Sequence, residues 1–141
     1  MQQQQQPSHQ HRHQLHYQSH EYMAKEFIRC QKWIEDALKH SGGTHETIDV
    51  FHAILEGRMQ LWSGKDGCAV TELLVYPRKK VLHVFLAGGK MEQIIDFQRD
   101  AIEWAKQQGC TAMSIAGRMG WKKVLSKHGW KPKFLTLTNE F

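Results

Sequence analysis

The chain has 141 residues, of which 40% are hydrophobic and 23% are charged, and its formal net charge is +5. This length and composition indicate one soluble globular domain that can bury a core. No hydrophobic run approaches the roughly 20 residues that span a bilayer, so a cytoplasmic protein without membrane contact is expected. The three cysteines are far apart and lack metal-ligand spacing, which favours reduced thiols over disulfides or a metal site.

The N-terminal segment is rich in glutamine and histidine and contains few hydrophobic residues. Such a segment cannot bury enough apolar surface to offset the entropy that is lost on ordering. We therefore predict a disordered tail over residues 1–22 and a folded domain over residues 23–141. The histidines of the tail could bind a metal ion adventitiously, but a low-complexity tail is the simpler interpretation, and no metal site is predicted.

The first half of the folded part shows a helical and then a strand-like pattern. Hydrophobic spacing predicts helices over residues 22–39 and 44–55. Two strand-like runs, residues 59–62 and 68–76, flank a turn that contains glycine and aspartate, which predicts a β-hairpin. A third strand over residues 80–86 extends this hairpin to an antiparallel meander.

The clearest pattern begins at this third strand. Gly88 and Gly89 mark a turn, an amphipathic helix then runs to Gly109, and residues 112–115 form another short hydrophobic run. Two strands joined by one helix form a βαβ crossover, in which the strands lie side by side and parallel. The sequence therefore predicts a mixed sheet that is mostly antiparallel.

A short helix over residues 120–128 and a last strand over residues 134–137 complete the order ααβββαβαβ, an α/β arrangement. This order resembles the fold of the GCN5-related N-acetyltransferases (GNAT). Many GNAT proteins end their short helix with Gly-Phe, and here Gly129 and Trp130 stand in that place. The resemblance implies a GNAT-like three-layer sandwich, with helices on both faces of the sheet.

Residues 45–141 are more closely similar to GNAT-like proteins that phages and prophages encode. The shared pieces are Met59-Gln60-Leu61-Trp62, Thr71-Glu72, Tyr76-Pro77-Arg78, Gly88-Gly89 and Gly117-Arg118-Met119-Gly120-Trp121. This similarity predicts a phage or prophage origin.

The resemblance also implies acetyl-CoA as the cofactor and an amine as the acceptor. GNAT domains hold the pyrophosphate with backbone N–H groups between the family's fourth strand and the long helix. In this chain the corresponding loop follows the strand at residues 80–86. The predicted cofactor-binding residues of this chain are Leu86, Ala87, Gly88, Gly89, Lys90 and Arg118. The loop lacks the family's arginine and its second spaced glycine, and Glu92 adds a negative charge. A plain strand-to-helix turn therefore remains the alternative for the two glycines.

Acetyl transfer needs a base for the attacking amine and an acid for the leaving thiolate. Glu72 and His83 are the candidate catalytic bases, and Glu72 is the preferred one, with a solvated or salt-bridged strand glutamate as its alternative. By alternation, His83 shares a face with hydrophobic residues, so a core histidine is the alternative interpretation. Leu125 takes the place of the tyrosine that serves as acid in many GNAT enzymes, and it cannot donate a proton. Ser126 beside it is a poor acid.

Two function classes follow from these residues. The first is an acyl-CoA-dependent N-acetyltransferase with a degenerate cofactor loop. The second is a non-catalytic phage protein that reuses the GNAT fold to bind a virion or host protein, in the host cytoplasm or in the virion. The basic C-terminal third, with Trp121 and Trp130, suits a nucleic-acid backbone, but a solvated helix face is the more common role of such a surface.

Overall fold

The computed structural model describes residues 19–141, so most of the predicted tail lies outside the described residues. The elements are α1 (His20–Leu38), α2 (Thr47–Leu55), β1 (Met59–Ser63), β2 (Gly67–Val75), β3 (Lys80–Gly89), α3 (Met91–Gln107), β4 (Ala112–Ile115) and α4 (Met119–Leu125), followed by a 3-10 turn at Ser126–His128. Helix α1 begins within the segment that was predicted to be tail, and the Ser19 hydroxyl caps it by accepting from the Tyr22 N–H. No described helix is both long enough and apolar enough to cross a membrane.

The four strands form one mixed sheet in the order β1-β2-β3-β4. Strands β1, β2 and β3 pair antiparallel, while β3 and β4 pair parallel. The structure thus confirms the hairpin, the meander and the βαβ crossover that the sequence predicts. Strands β3 and β4 are parallel because α3 returns the chain to the end of the sheet at which β3 begins, so β4 runs in the same direction as β3.

Helices cover both faces of this sheet. Helices α1 and α2 pack on one face around Phe27, Cys30 and Ile34, and α3 packs on the other face through Phe97 and Trp104. The α/β class and the three layers of the prediction are therefore confirmed. In α3 the buried residues recur at three- and four-residue spacing, which is why one side of this helix faces the sheet.

The predicted last strand is not formed. Residues 129–141 contain neither helix nor strand, so the observed order is ααβββαβα. Phe134, Leu135 and Leu137 are 90%, 77% and 84% exposed. An alternating hydrophobic pattern becomes a strand only when it finds a sheet edge, and within the described residues this segment finds none.

Helix α2 begins three residues later than predicted. Its N-cap is Glu46, whose backbone N–H donates to Asp49 Oδ2 at 2.8 Å. Val50, Ala53 and Ile54 face the core, and Ile48 is half exposed. The hydrogen bond belongs to a capping box, in which the N-cap residue and the third helical residue pair reciprocally. This pairing fixes the beginning of α2.

Candidate functional site

A cleft opens where β3 and β4 stop pairing. Their register runs from Val81 opposite Ala112 to Val84 opposite Ile115 and ends there. Strand β3 continues to Gly89. Residues 85–89 therefore have no strand partner on the β4 side within the described part of the chain. Such an edge presents backbone N–H and C=O groups that can bind an extended ligand.

A β-bulge lies at the same point of β3. Val70 pairs with Leu86, but the next residue of β2, Thr71, pairs with Val84, so Phe85 is an extra residue. A bulge bends its strand and increases the local twist. Because the bend coincides with the last β3–β4 pair, β3 leaves β4 just where the cleft begins.

Three elements line this cleft. Residues 84–87 of β3 form one wall, and residues 115–118 with Trp121 form the other. The end of α1 and the loop after it contribute Ala37, His40 and Ser41. Sequence reasoning missed these loop residues, because nothing local in residues 37–41 indicates that they face a strand more than 40 positions away.

The predicted cofactor residues divide into two groups. Leu86, Ala87 and Arg118 line the cleft. Arg118 occupies the N-cap position of α4 and is exposed, and it is the only Lys, Arg, Asp or Glu among the residues that line the described cleft. Gly88 and Gly89, the last two residues of β3, and Lys90, the N-cap of α3, do not line the cleft.

Both glycines have a packing role. A Cβ on Gly88 would lie 2.9 Å from the carbonyl oxygen of Trp33 in α1. Gly89 has φ +100°, and a Cβ there would collide with the carbonyl oxygen of Asp66 in the β1–β2 turn. The Lys90 N–H donates to that same oxygen at 2.8 Å. Only glycine meets these steric demands, whatever else the loop binds.

Three polar side chains lie in a row across the sheet beside the cleft. Glu72 of β2 is directly opposite His83 of β3, and His83 is directly opposite Ser114 of β4. His83 Nδ1 and Ser114 Oγ are 2.8 Å apart. This row stands one residue before the last β3–β4 pair, so the two predicted bases are brought together next to the cleft. Sequence reasoning missed Ser114, which only the strand register could identify.

The environment of His83 favours its neutral form. The side chain is half-buried, and burial lowers the pKa of its imidazole below the usual 6.5, an effect that the nearby Glu72 carboxylate only partly offsets. A neutral imidazole can accept a proton near neutral pH. Its Nε2 has no hydrogen-bond partner among residues 19–141.

The rings of His45 and Phe85 are in tilted contact at the bulge. The ring centroids are 4.7 Å apart, so the loop before α2 covers the bulged residue. In the C-terminal part, Leu125 is buried and Ser126 Oγ donates to the Lys123 carbonyl at 2.9 Å. No group of three or more metal-binding side chains occurs among the described residues.

No protein-family model and no curated protein matches this sequence. Solved structures of acetyltransferases do match. One is an aminoglycoside acetyltransferase from an uncultured soil metagenomic sample, in complex with sisomicin, with a TM-score of 0.61 and 6% identity over 87% of this chain and 92% of that chain. The chain has a GNAT-like fold.

Two further structures have the same fold. A ribosomal-protein-alanine N-acetyltransferase from Brucella melitensis biovar Abortus matches with a TM-score of 0.60 and 11% identity, over 85% of this chain and 93% of that chain. An acetyltransferase from Trypanosoma brucei matches with a TM-score of 0.51 and 11% identity, over 80% and 94%. At these identities the likeness shows the GNAT-like fold alone, and it does not support the closer similarity to phage proteins.

Proposed function

We propose that this protein is an N-acetyltransferase that binds acetyl-CoA in the cleft between β3 and β4. The observation that carries the proposal is the end of the β3–β4 pairing at Val84 and Ile115, while β3 continues for five more residues. The fold that the chain shares with solved acetyltransferases supports the same function. The acceptor is an amine whose identity the cleft alone does not specify.

The residues of the cleft fit this cofactor. The pantetheine arm of coenzyme A carries two amides, and an extended amide chain can bind an open strand edge as a further strand does. The edge at residues 85–87 has the required backbone groups. Arg118 lines the cleft, and Lys90 is exposed at the start of α3, so both cations suit the phosphates of the cofactor. Bound acetyl-CoA supplies the acetyl group as an activated thioester.

His83 is the base in this proposal. It takes the proton that the acceptor amine must lose, and its lowered pKa keeps the imidazole neutral and ready to accept. Ser114 holds Nδ1 and so fixes the ring, which leaves Nε2 for the amine. Glu72, directly opposite His83, stabilises the imidazolium that forms. Neither Leu125 nor Ser126 serves as the acid, because the first has no proton to donate and the second is bonded to a backbone carbonyl. Coenzyme A therefore leaves as a thiolate when the C–S bond breaks, and it takes its proton from solvent.

The experiment is a calorimetric titration of acetyl-CoA into the full chain and two matched variants. Ala116→Trp fills the cleft from an exposed position on its wall. Thr111→Trp places the same side chain at an exposed position before the opposite end of β4. We expect binding to the wild type and to Thr111→Trp, and loss of binding in Ala116→Trp. Equal binding by all three folded proteins, or by none, would refute the proposed cleft.

Release of the coenzyme A thiol with a panel of amines then tests the transfer reaction. A protein that binds acetyl-CoA but transfers to none of the amines would favour the alternative function. That alternative is a non-catalytic phage protein that binds a virion or host partner in the host cytoplasm or in the virion. One observation favours it: contacts with Trp33 and Asp66 explain Gly88 and Gly89 without any cofactor. The phage origin itself rests on the sequence similarity alone.

A further inference from the structure

Strand β4 has one free edge. It is the last strand in the sheet order and consists of four residues, Ala112–Ile115, all of them half-buried. Among residues 19–141 no strand pairs with its outer side. A free edge presents unpaired backbone N–H and C=O groups and is a template for another strand.

An apolar groove lies on the α3 face of the sheet and extends from β4 inward as far as β1. Met113 and Ile115 of β4 line it together with Ile94, Ile95, Leu125 and Trp130. Met113 and Ile115 are the alternate residues of β4 that point to that face, so β4 forms part of the groove wall. A strand added at the β4 edge would place every second side chain along it.

The same chain carries a segment of matching length and pattern. Phe134, Leu135 and Leu137 are 77–90% exposed, and Thr136 stands between the two leucines. Leu135 and Leu137 fall on one face of an extended segment, as the groove requires. Three large hydrophobic residues almost fully in water form a larger apolar surface than scattered exposed residues normally do.

We infer that Phe134–Leu137 of one copy adds as a strand to the β4 edge of a second copy, and that this exchange is reciprocal in a symmetric dimer. Each copy then covers the free edge and the groove of the other. A twofold arrangement satisfies both copies with the same contact and leaves no segment unpaired. This inference is independent of acetyl transfer.

The partner is a second copy because the segment does not pair with the β4 edge of its own chain, although it lies close to it in sequence. Trp130 lines the groove, and only residues 131–133, Lys-Pro-Lys, separate it from Phe134. A link this short gives the segment a high effective concentration at the edge of its own chain if the link can reach from Trp130 to that edge. If the link cannot reach, the effective concentration is almost zero. The segment nevertheless stays exposed and unpaired. Pro132 further restricts the backbone of the link.

The test is the mass of the full chain in solution, measured by light scattering after size exclusion over a range of concentrations. We expect a dimer of twice the chain mass of 16.5 kDa. Thr136→Pro removes an N–H in the middle of the segment, and Asn139→Pro makes the same change beyond it. Both positions are exposed, so neither change touches the core. We expect Thr136→Pro to halve the mass and Asn139→Pro to leave it unchanged.

Hydrogen exchange on the same samples locates the contact. In the dimer, amides of residues 112–115 and 134–137 should exchange slowly, and the outward-facing amides of β4 should lose protection in Thr136→Pro. A wild type that stays monomeric, a dimer that survives Thr136→Pro, or a dimer that both proline variants abolish would each overturn the inference. Slow exchange at residues 134–137 in a monomer would overturn it too, because the segment would then pair within its own chain.

Discussion

His83 Nδ1 lies 2.8 Å from Ser114 Oγ, across the parallel strands β3 and β4 and one residue before they separate. The contact links β3 and β4 one residue before the walls of the cleft begin. A histidine on an otherwise hydrophobic face usually needs such a partner to be tolerated in a core. Here the partner fixes one ring nitrogen, while the half-buried ring keeps contact with solvent.

Replacement of His83 tests its proposed role. His83→Gln keeps a polar side chain of similar size but removes the base, so the rate of acetyl transfer should fall by about 10²–10⁴-fold. Acetyl-CoA affinity should change little, because His83 does not line the cleft. The measurement is steady-state release of the coenzyme A thiol, with calorimetry for binding. A variant that keeps its transfer rate would leave His83 a structural residue.

The pH dependence of the reaction gives a second readout. Burial lowers the pKa of His83, so the folded protein binds fewer protons at this site than the unfolded chain just below pH 6.5. Stability therefore decreases as pH falls from the unfolded pKa of 6.5 to the lower folded pKa. Transfer should fall as pH decreases through the lower folded pKa, because the base of the folded enzyme becomes protonated there. In His83→Gln this acid limb should be absent, and an unchanged limb would assign it to another group.

Gly89 and Gly109 separate backbone strain from steric collision. Both have positive φ, +100° and +87°, but only at Gly89 would a Cβ meet other atoms within 4 Å. Gly109→Ala should cost about 1 kcal/mol for the left-handed backbone alone. Gly89→Ala adds the collision with Asp66, which overpacked sites show to cost about 1–3 kcal/mol more. Urea unfolding of both variants measures the difference, and equal losses would mean that the β1–β2 turn moves away freely.

Local sequence patterns predicted most of the fold because most of its elements are set locally. The turn at Gly88-Gly89 and the spacing of hydrophobic residues in α3 were sufficient for the βαβ unit. The strand at residues 134–137 was wrong because its formation depends on a partner edge, which no local pattern encodes.

The site was less accessible to sequence reasoning. Glu72 and His83 were recognised by residue type, but their placement opposite each other required the β2–β3 register. Ser114 and the extra residue Phe85 depend on the same pairing and left no signal in the sequence. The loop residues His40 and Ser41 reach the cleft through the packing of α1 on β3, which is a tertiary contact.

Glu26 ties α1 to the β1–β2 turn and should make the domain sensitive to acid. Arg29 donates to both carboxylate oxygens, at 2.9 and 3.0 Å, and also to the Gly64 carbonyl at 2.8 Å, while the Ser63 hydroxyl donates to Glu26 at 2.8 Å. The hydrogen bonds from Arg29 lower the pKa of Glu26 below 4.5. The contribution of the Glu26 carboxylate to the stability of the fold is therefore complete above pH 4.5 and is lost as pH falls through the lower folded pKa.

Glu26→Gln should reduce stability at neutral pH by on the order of 1 kcal/mol and remove this part of the acid dependence. The matched control is Asp36→Asn in the same helix. Asp36 also pairs with a cation three residues on, but at 3.5 Å and with both side chains more than half exposed. Denaturant unfolding at several pH values compares the two. Equal effects of the two substitutions would show that the link to the turn contributes nothing.

The buried chain of hydrogen bonds from Trp62 through Thr71 to Gln60 should be among the most sensitive parts of the core. Trp62 Nε1 donates to Thr71 Oγ1 at 2.9 Å, and Thr71 Oγ1 donates to Gln60 Oε1 at 2.8 Å. All three side chains are at most 2% exposed. Thr71→Val preserves the shape but leaves a buried donor and a buried acceptor unsatisfied, which predicts a loss of about 2–5 kcal/mol.

Thr111→Val, at an exposed position next to β4, is the control and should be nearly neutral. Adding Trp62→Phe to Thr71→Val should cost less than the sum of the single changes, because the unsatisfied donor disappears. Strict additivity in denaturant unfolding would show that water satisfies these groups when the hydroxyl is removed.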